Sequence, residues 1–371
     1  MLTRTSFNPR WLREALGDTP ATTDGHLAAL DGLRGLAVLI VMASHWSNAG
    51  MGLLPLSLAG IGKSGVYLFY VLSAFLLARL MLLRGERLGY SNVRMWADYA
   101  LRRVLRIWPL FVVVLLLSWV LTTQGVTGWH YQIDTRALLR HLSLREGQSV
   151  LWSIPVEFTF YLWLPLLVLA AAWLRRRAFP MVVEVAVAAL LLYGVLRAWP
   201  PAQAPVNDIH LWHYLPLFLC GVYAARIDVG LRSGQHRRIW PWALAGAVAL
   251  GVFVATVPQV WAWLTGTVPR PDLGHRWFLF FGLLWSVLLL AVLHGPNWLR
   301  RIFAHPVLRL VGIISFSAYL WHMPVLDYVR AHAGMQGALA GWIAFAIALA
   351  ISALSWWWLE RPWRAVRLRA G

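Results

Sequence analysis

LDGLRGLAVLIVMASHW, residues 30–46, decides the fold, because a charged start leads into an apolar run that ends on a histidine. Arg34 and His45 lie eleven helical steps apart, which is about 16 Å of rise and close to three whole turns. Both side chains therefore fall near one face of a single helix, at two different depths. A cation and an imidazole are costly to place in a membrane-spanning helix, and they usually mark a functional site.

The remainder of the chain has the composition of a polytopic membrane protein. Of its 371 residues, 60% are hydrophobic and 13% are charged, and the mean hydropathy is +0.61. Apolar runs of membrane-spanning length recur from end to end. We predict an all-α bundle of about ten transmembrane helices. It forms a single integral membrane domain, residues 1–371, with residues 1–27 as a polar cytoplasmic arm. The predicted spans are 33–50, 64–83, 104–123, 153–174, 181–198, 210–228, 239–257, 276–294, 310–328 and 338–359.

The formal net charge of +18 comes from 33 basic and 15 acidic residues. In a soluble protein this excess would suggest a nucleic-acid partner. Here the basic residues concentrate in loops between the spans, so membrane topology explains them and no nucleic acid is expected. With both termini in the cytoplasm, most arginines fall on the inner side, as the positive-inside rule requires.

Three ionisable side chains fall at a similar depth in this topology. His45 lies in the outer half of the first span, and His322 in the outer half of the ninth. Glu157 lies near the outer end of the fourth, where Ser153 is expected to cap the helix and to share a face with Tyr161. Imidazole, with an ordinary pKa of about 6.5, suits general-base catalysis. Alternatively, the histidines are satisfied packing residues, and Glu157 is a helix-terminal charge stabilised by the macrodipole.

Two arginines lie at the opposite depth. RRVLRIWP places Arg103 and Arg106 three residues apart where the third span begins on the cytoplasmic side. Two guanidinium groups on one face can bind phosphate, although arginines at a membrane edge also serve as topological anchors. The chain contains no GxSxG, HExxH or Walker motif and no Cys/His cluster, so neither a serine hydrolase nor a metal site is indicated.

At these residues the chain resembles the acyltransferase 3 family of bacterial integral membrane acyltransferases. Six segments match in the family's order between about residues 28 and 364. They are LDGLRGLAVLIVMASHW, GVYLFYVLSAFLLARL, RRVLRIWPLF, WSIPVEFTFYLWLP, SAYLWHMP and WWLERPWR. The residues that fall on the family's motifs are Arg34, His45, Arg103, Arg106, Trp152, Ser153 and Glu157. Ala74 replaces a glycine usual in the family, and this small residue still allows close helix packing.

The resemblance implies an O-acyltransferase in the bacterial cytoplasmic (inner) membrane, in contact with membrane lipids. It would move an acyl group, in the first instance acetyl, from cytoplasmic acyl-CoA to a hydroxyl of a cell-envelope glycan or lipid-linked sugar, without a metal. The chain looks like the stand-alone form of the family, and its oligomeric state is not indicated.

The resemblance also assigns roles to residues. His45 is the expected general base, oriented by Glu157, and an acyl-histidine intermediate is the alternative route. Arg34 would complete the catalytic set by holding the donor or tuning the electrostatics. Arg103 and Arg106 would bind acyl-CoA. The residues expected to contact substrate are Ser153, Tyr161, His322 and Trp152.

Two other functional classes are compatible with the residues alone. A transporter or flippase could use the buried histidines and Glu157 for proton coupling. A scaffold could organise envelope assembly without any chemistry. No internal repeat of the kind found in many transporters is visible in the sequence, which weakens the first of these two.

Overall fold

The computed structural model describes residues 25–177, 181–231, 239–332, 337–364 and 366, and all secondary structure within these ranges is helical. Residues 1–24 of the predicted cytoplasmic arm lie outside the described part. The helices are α1 (Gly25–Asn48), α2 (Gly62–Leu88), α3 (Val93–Thr123), α4 (Thr135–Leu142), α5 (Ser153–Arg176), α6 (Met181–Ala198), α7 (Leu215–Leu231), α8 (Ile239–Ala255), α9 (Pro258–Thr265), α10 (Phe278–His294), α11 (Asn297–Phe303), α12 (Pro306–Ile313), α13 (Ser315–His332), α14 (Gly337–Ser355) and α15 (Arg361–Arg364).

The number of membrane-spanning elements agrees with the prediction. Within the described ranges, 7 helices are long and apolar enough to cross a membrane, or up to 10 if each of three bent helix pairs is one span. The bent pairs are α8–α9, α10–α11 and α12–α13, with bends of 85°, 114° and 76°. The predicted span 310–328 is therefore a broken one, because the chain turns sharply between Ile313 and Ser315.

A carboxylate from another element stabilises this break. The first N–H groups of a helix have no partner within the helix, and α13 begins deep inside the protein. Glu360 Oε1 accepts hydrogen bonds from Ser317 N at 3.2 Å and from Ser317 Oγ at 2.6 Å. Glu360 belongs to a π-helical turn, Trp356–Glu360, that follows α14. The end of α14 thus caps the start of α13.

Close backbone contacts hold α1 in place. This helix packs against α2, α11, α12 and α13. A Cβ atom on Gly32 would lie 1.6 Å from the carbonyl oxygen of Phe303, and one on Gly312 would lie 1.8 Å from that of Asp31. Only glycine permits such an approach, as at many helix crossings in membranes. The DGLRG sequence before the apolar run is therefore a packing surface.

α2 is the central helix and packs against α1, α5, α7 and α10. A buried ion-pair cluster joins three of these helices near one end of the bundle. Asp228 accepts from Arg79 Nε at 2.8 Å and lies 3.0 Å from His294 Nε2. Removing Arg79 or Asp228 would leave a buried charge uncompensated, and His294 joins a third helix to this pair, so the cluster fixes the relative positions of α2, α7 and α10.

The start of α5 differs from the prediction that Ser153 caps it. A 3₁₀ turn, Ser149–Trp152, leads directly into α5, so the chain is already helical before Ser153. Ser153 Oγ instead donates to the carbonyl of Val150 at 3.3 Å. The preceding loop contains the short helix α4, and Asp134 caps it by accepting from Ala137 N at 2.7 Å.

Candidate active site

Two cavities lie near the start of α5. The first, here the arginine cavity, has a volume of about 90 Å³ and is formed by α1, α2, α3, α5 and α13. Its polar lining residues are Arg34, Tyr70, Ser73, Arg103, Arg106, Ser153, Glu157, Tyr161, Ser315 and Tyr319. Six residues predicted from the sequence to act in catalysis or binding therefore share one cavity, and three of them are arginines.

The arginine cavity contains polar atoms that nothing in the described part of the chain satisfies. Arg103 Nε, Arg106 Nη2 and Ser315 Oγ are buried and have no hydrogen-bond partner there. The Arg103 guanidinium lies 5.9 Å from the centre of the Tyr161 ring, so it also borders an aromatic surface. Unpaired buried donors are costly unless a ligand or water completes them. The donor set fits an anion with several oxygens, such as a phosphate.

Glu157 lies in the arginine cavity and not beside His45. Ser73 Oγ donates to Glu157 Oε1 at 2.7 Å, and Tyr161 donates to the same oxygen. Because the helix begins at Ser149, Glu157 lies about two turns inside it, deeper than a position near the end. The structure therefore places Glu157 and His45 in different cavities, and it does not bring Glu157 together with the two histidines.

The second cavity, here the histidine cavity, has a volume of about 180 Å³. Its polar lining residues are Ser44, His45, Asn48, Lys63, Ser149, Trp152, Asn207, His275 and Tyr319. Lys63 Nζ donates to Asn207 Oδ1 at 2.6 Å and lies 4.3 Å from the centre of a Trp152 ring. The predicted residues His45 and Trp152 thus share this cavity with a cation that sequence reasoning did not assign to a site.

His45 and His322 are adjacent, as predicted, but of the two it is His45 that lines the histidine cavity. Their ring centres are 5.2 Å apart, and His322 is fully buried. His322 Nδ1 donates to the carbonyl of Tyr319 at 2.8 Å. Within the described ranges, no side chain hydrogen-bonds the ring of His45, so its nitrogens remain available to a substrate in the cavity. The position of His322 favours support of the His45 ring over contact with substrate.

A thin wall separates the two cavities. Val66 and Tyr319 are the two residues that line both. The hydroxyl of Tyr319 donates to the carbonyl of Val150 at 2.7 Å, which fixes it against the start of α5. The two cavities are therefore neighbours that adjoin at these two side chains.

His275 belongs to the loop before α10 and borders the histidine cavity. Its Nε2 lies 3.2 Å from the carbonyl oxygen of Gly60. Burial, reinforced by the Lys63 ammonium, lowers the pKa of His275 below its ordinary value of 6.5, against the opposing effects of Gly60 and Asp272. The imidazole is therefore neutral at neutral pH and adds no charge to the cavity.

Comparison with known proteins identifies the arrangement. A family model described as an acyltransferase domain matches residues 27–361. The chain belongs to the acyltransferase 3 family. The match includes α1, α3 and α5, which carry Arg34, His45, Arg103, Arg106 and Glu157. No solved structure matches the chain.

Relatives of this acyltransferase 3 chain are distant in sequence. A peptidoglycan O-acetyltransferase, OatA, from Listeria monocytogenes is 22% identical over 332 residues, which are 81% of this chain and 49% of the relative. Nodulation protein 10 from Rhizobium leguminosarum bv. viciae is 26% identical over 390 residues, or 95% of this chain and 97% of the relative. The chain thus spans about half the length of the Listeria protein and nearly all of the rhizobial one.

Sequence reasoning missed several residues of these cavities. Ser73 and Tyr319 stand in segments that carry the family resemblance, FYVLSAF and SAYLWHMP, and could have been found as polar residues inside apolar spans. Asn207 and His275 come from loops, where no periodicity indicates which side chains turn inward. Lys63 is the only lysine in the chain, so of the missed residues it was the one that the sequence marked most clearly as a candidate for the site.

Proposed function

We propose that this chain is a membrane O-acyltransferase that moves an acyl group, in the first instance acetyl, from acyl-CoA to a hydroxyl of a cell-envelope glycan. The observation that carries the proposal is the pair of cavities at the start of α5. One presents unsatisfied guanidinium donors, and the other presents an imidazole. Family membership and the peptidoglycan O-acetyltransferase among the relatives support the same reaction class.

The arginine cavity is the proposed donor end. Coenzyme A carries several phosphates, and Arg103 and Arg106 offer N–H groups that no described residue accepts. Arg34 enters the same cavity from α1 and adds a third positive charge. The acyl-bearing arm would pass the wall formed by Val66 and Tyr319 and bring its thioester to the histidine cavity.

The histidine cavity is the proposed reaction centre. His45 removes the proton from the acceptor hydroxyl, and the oxygen attacks the acyl carbonyl carbon. The tetrahedral intermediate then collapses, the carbon–sulfur bond breaks, and coenzyme A leaves as a thiol after taking up a proton. Lys63, held by Asn207, contributes positive charge beside the position of the developing oxyanion.

The two ends have opposite access in the proposed topology. With both termini in the cytoplasm of a bacterium, the arginine cavity faces the cytoplasmic pool of acyl-CoA and the histidine cavity faces the acceptor. The whole chain then acts as one domain of the inner membrane, and it acylates a glycan or lipid-linked sugar on the far side.

Inside-out membrane vesicles supplied with labelled acetyl-CoA test the reaction, with lipid-linked and soluble glycans as acceptors. His45→Asn should lower transfer by about 10²–10⁴-fold, the usual contribution of a general base. His332→Ala, at an exposed histidine on α13, is the matched control and should leave transfer unchanged. Native transfer by His45→Asn would contradict the assignment. Movement of glycan without turnover of acetyl-CoA would support a transporter instead.

The donor end has a separate test. The double variant Arg103→Ala with Arg106→Ala should weaken the binding of coenzyme A, measured by calorimetry on protein in lipid nanodiscs. Arg94→Ala removes an exposed arginine from the same helix and controls for net charge. Equal donor affinity in the double variant and the control would assign these arginines to topology alone.

A further inference from the structure

Beside the histidine cavity, two hydrogen bonds connect three side chains that the proposed reaction does not use. Ser149 Oγ lies 2.7 Å from His130 Nε2, and His130 Nδ1 lies 2.6 Å from Asp327 Oδ2. With the proton on Nδ1, His130 donates to the carboxylate and accepts from the hydroxyl. This is the order of contacts by which a carboxylate and a histidine activate a serine.

The three residues come from separate segments, so no local motif announces them. His130 lies in the loop after α3, Ser149 opens the 3₁₀ turn before α5, and Asp327 lies in the outward half of α13. The His130 side chain is 12% exposed and the Asp327 side chain is 36% exposed. The imidazole is thus shielded from solvent, and the carboxylate that orients it remains at the edge.

Ser149 has two further properties of a nucleophile. It lines the histidine cavity together with His45, so its hydroxyl borders the space where the acyl group is transferred. Its φ of 50° lies in the left-handed region, which is unfavourable for a residue with a Cβ and persists only where the surroundings enforce it. A hydrogen bond that only ties the loop to α5 would require neither property.

We propose that Ser149 is a nucleophile that carries the acyl group between donor and acceptor. The step rests on the proposed function and divides its single attack of the acceptor on the thioester into two successive transfers. His130 takes the Ser149 proton while Oγ attacks the thioester carbon. The carbon–sulfur bond breaks, and the coenzyme A thiolate receives that proton. In the second half, His45 deprotonates the acceptor hydroxyl, which attacks the Ser149 ester. Ser149 leaves as the alkoxide and recovers a proton from the histidines. Asp327 is a positioning residue that acts through His130.

An acyl-Ser149 intermediate would allow the two cavities to be occupied one after the other. Once the acyl group is on Ser149, coenzyme A can withdraw toward the arginines before the acceptor enters. Donor and acceptor then do not have to occupy the histidine cavity together. The kinetic consequence is a ping-pong mechanism with release of coenzyme A before acceptor binds.

The experiment uses the full chain in nanodiscs with labelled acetyl-CoA and no acceptor. We expect a burst of coenzyme A release that approaches one per enzyme, with label on a peptide containing Ser149. Ser149→Gly should abolish the label and lower transfer by about a hundredfold or more, and glycine suits the left-handed backbone, so misfolding does not explain the loss. Ser149→Cys should retain the label as a thioester. Ser143→Ala, at an exposed serine of the same loop, is the control.

Other outcomes separate the two proposals. Label on His45, or full transfer by Ser149→Gly, would overturn the role of Ser149 and leave the proposed function intact. Absence of both acetyl-CoA turnover and glycan acylation by the unmodified chain would overturn the proposed function itself. For Asp327, we expect Asp327→Asn to change the pH profile of the burst and Asp327→Glu to restore it. An unchanged pH profile would contradict the proposed role of Asp327 as a positioning residue for His130.

Discussion

Arg103→Met is expected to change stability and donor binding in opposite directions. The buried Nε of Arg103 has no partner among the described residues, and such a group costs about 1–3 kcal/mol. Methionine fills a similar volume without that donor, so the ligand-free protein should melt at a higher temperature. The same change removes charge-assisted hydrogen bonds to phosphate, each contributing about 1.5–3 kcal/mol. Coenzyme A should therefore bind about 10- to 100-fold more weakly.

Arg102→Met is the matched control one position away on α3. Arg102 lies 2.9 Å from Asp98 in an ion pair, and it lines neither cavity. Its loss should lower the melting temperature and leave coenzyme A binding unchanged. Thermal melting and titration calorimetry on both variants in nanodiscs give the comparison. If Arg103→Met lowers the melting temperature and retains donor affinity, Arg103 is a topological anchor and the argument from its unsatisfied donor is refuted.

Three further predictions test helix packing, the histidine cavity and the arginine cavity. Gly312→Ala should destabilise the protein by about 1–3 kcal/mol, because the new Cβ would lie 1.8 Å from the Asp31 carbonyl; Gly194→Ala, with nothing within 4 Å, should not lower the melting temperature. His275→Gln should reduce the loss of thermal stability below pH 6.5, since the lowered pKa means that protonation favours the unfolded state. Glu157→Gln should tighten coenzyme A binding about fivefold in calorimetry, because it removes roughly 1 kcal/mol of repulsion with phosphate.

The helical bundle follows from features that are local in the sequence. Run length and apolar composition predict a membrane span directly, since the bilayer sets how many residues a helix needs. The breaks do not follow in this way. The turn between α12 and α13 depends on Glu360, which caps Ser317 from a helix that comes much later in the chain. Hydropathy cannot distinguish such a broken span from a continuous one.

The residues of the two cavities also follow only in part from local features of the sequence. Helical spacing brought Ser153, Glu157 and Tyr161 to one face, and all three line the arginine cavity. The depth of a side chain along its helix is harder to predict from the sequence, because it depends on where the helix begins. Glu157 lines the arginine cavity, whereas His45 lines the histidine cavity. The contact of His130 with Asp327 joins segments with no common period, so only the three-dimensional structure brings them together.

The glycine contacts of α1 have a consequence for substrate choice. The α-helix sets the rise between Arg34 and His45 at about 16 Å. The close contacts of Gly32 and Gly312 with carbonyl groups hold α1, and with it both side chains, in place against the neighbouring helices. For the proposed donor, this spacing makes α1 a molecular ruler. Under the proposed function it would select thioesters by the length of the arm that joins phosphate to sulfur and would tolerate variation in the acyl group. A truncated thioester such as S-acetyl-N-acetylcysteamine would then occupy the His45 end only, while free coenzyme A would still bind at the Arg34 end.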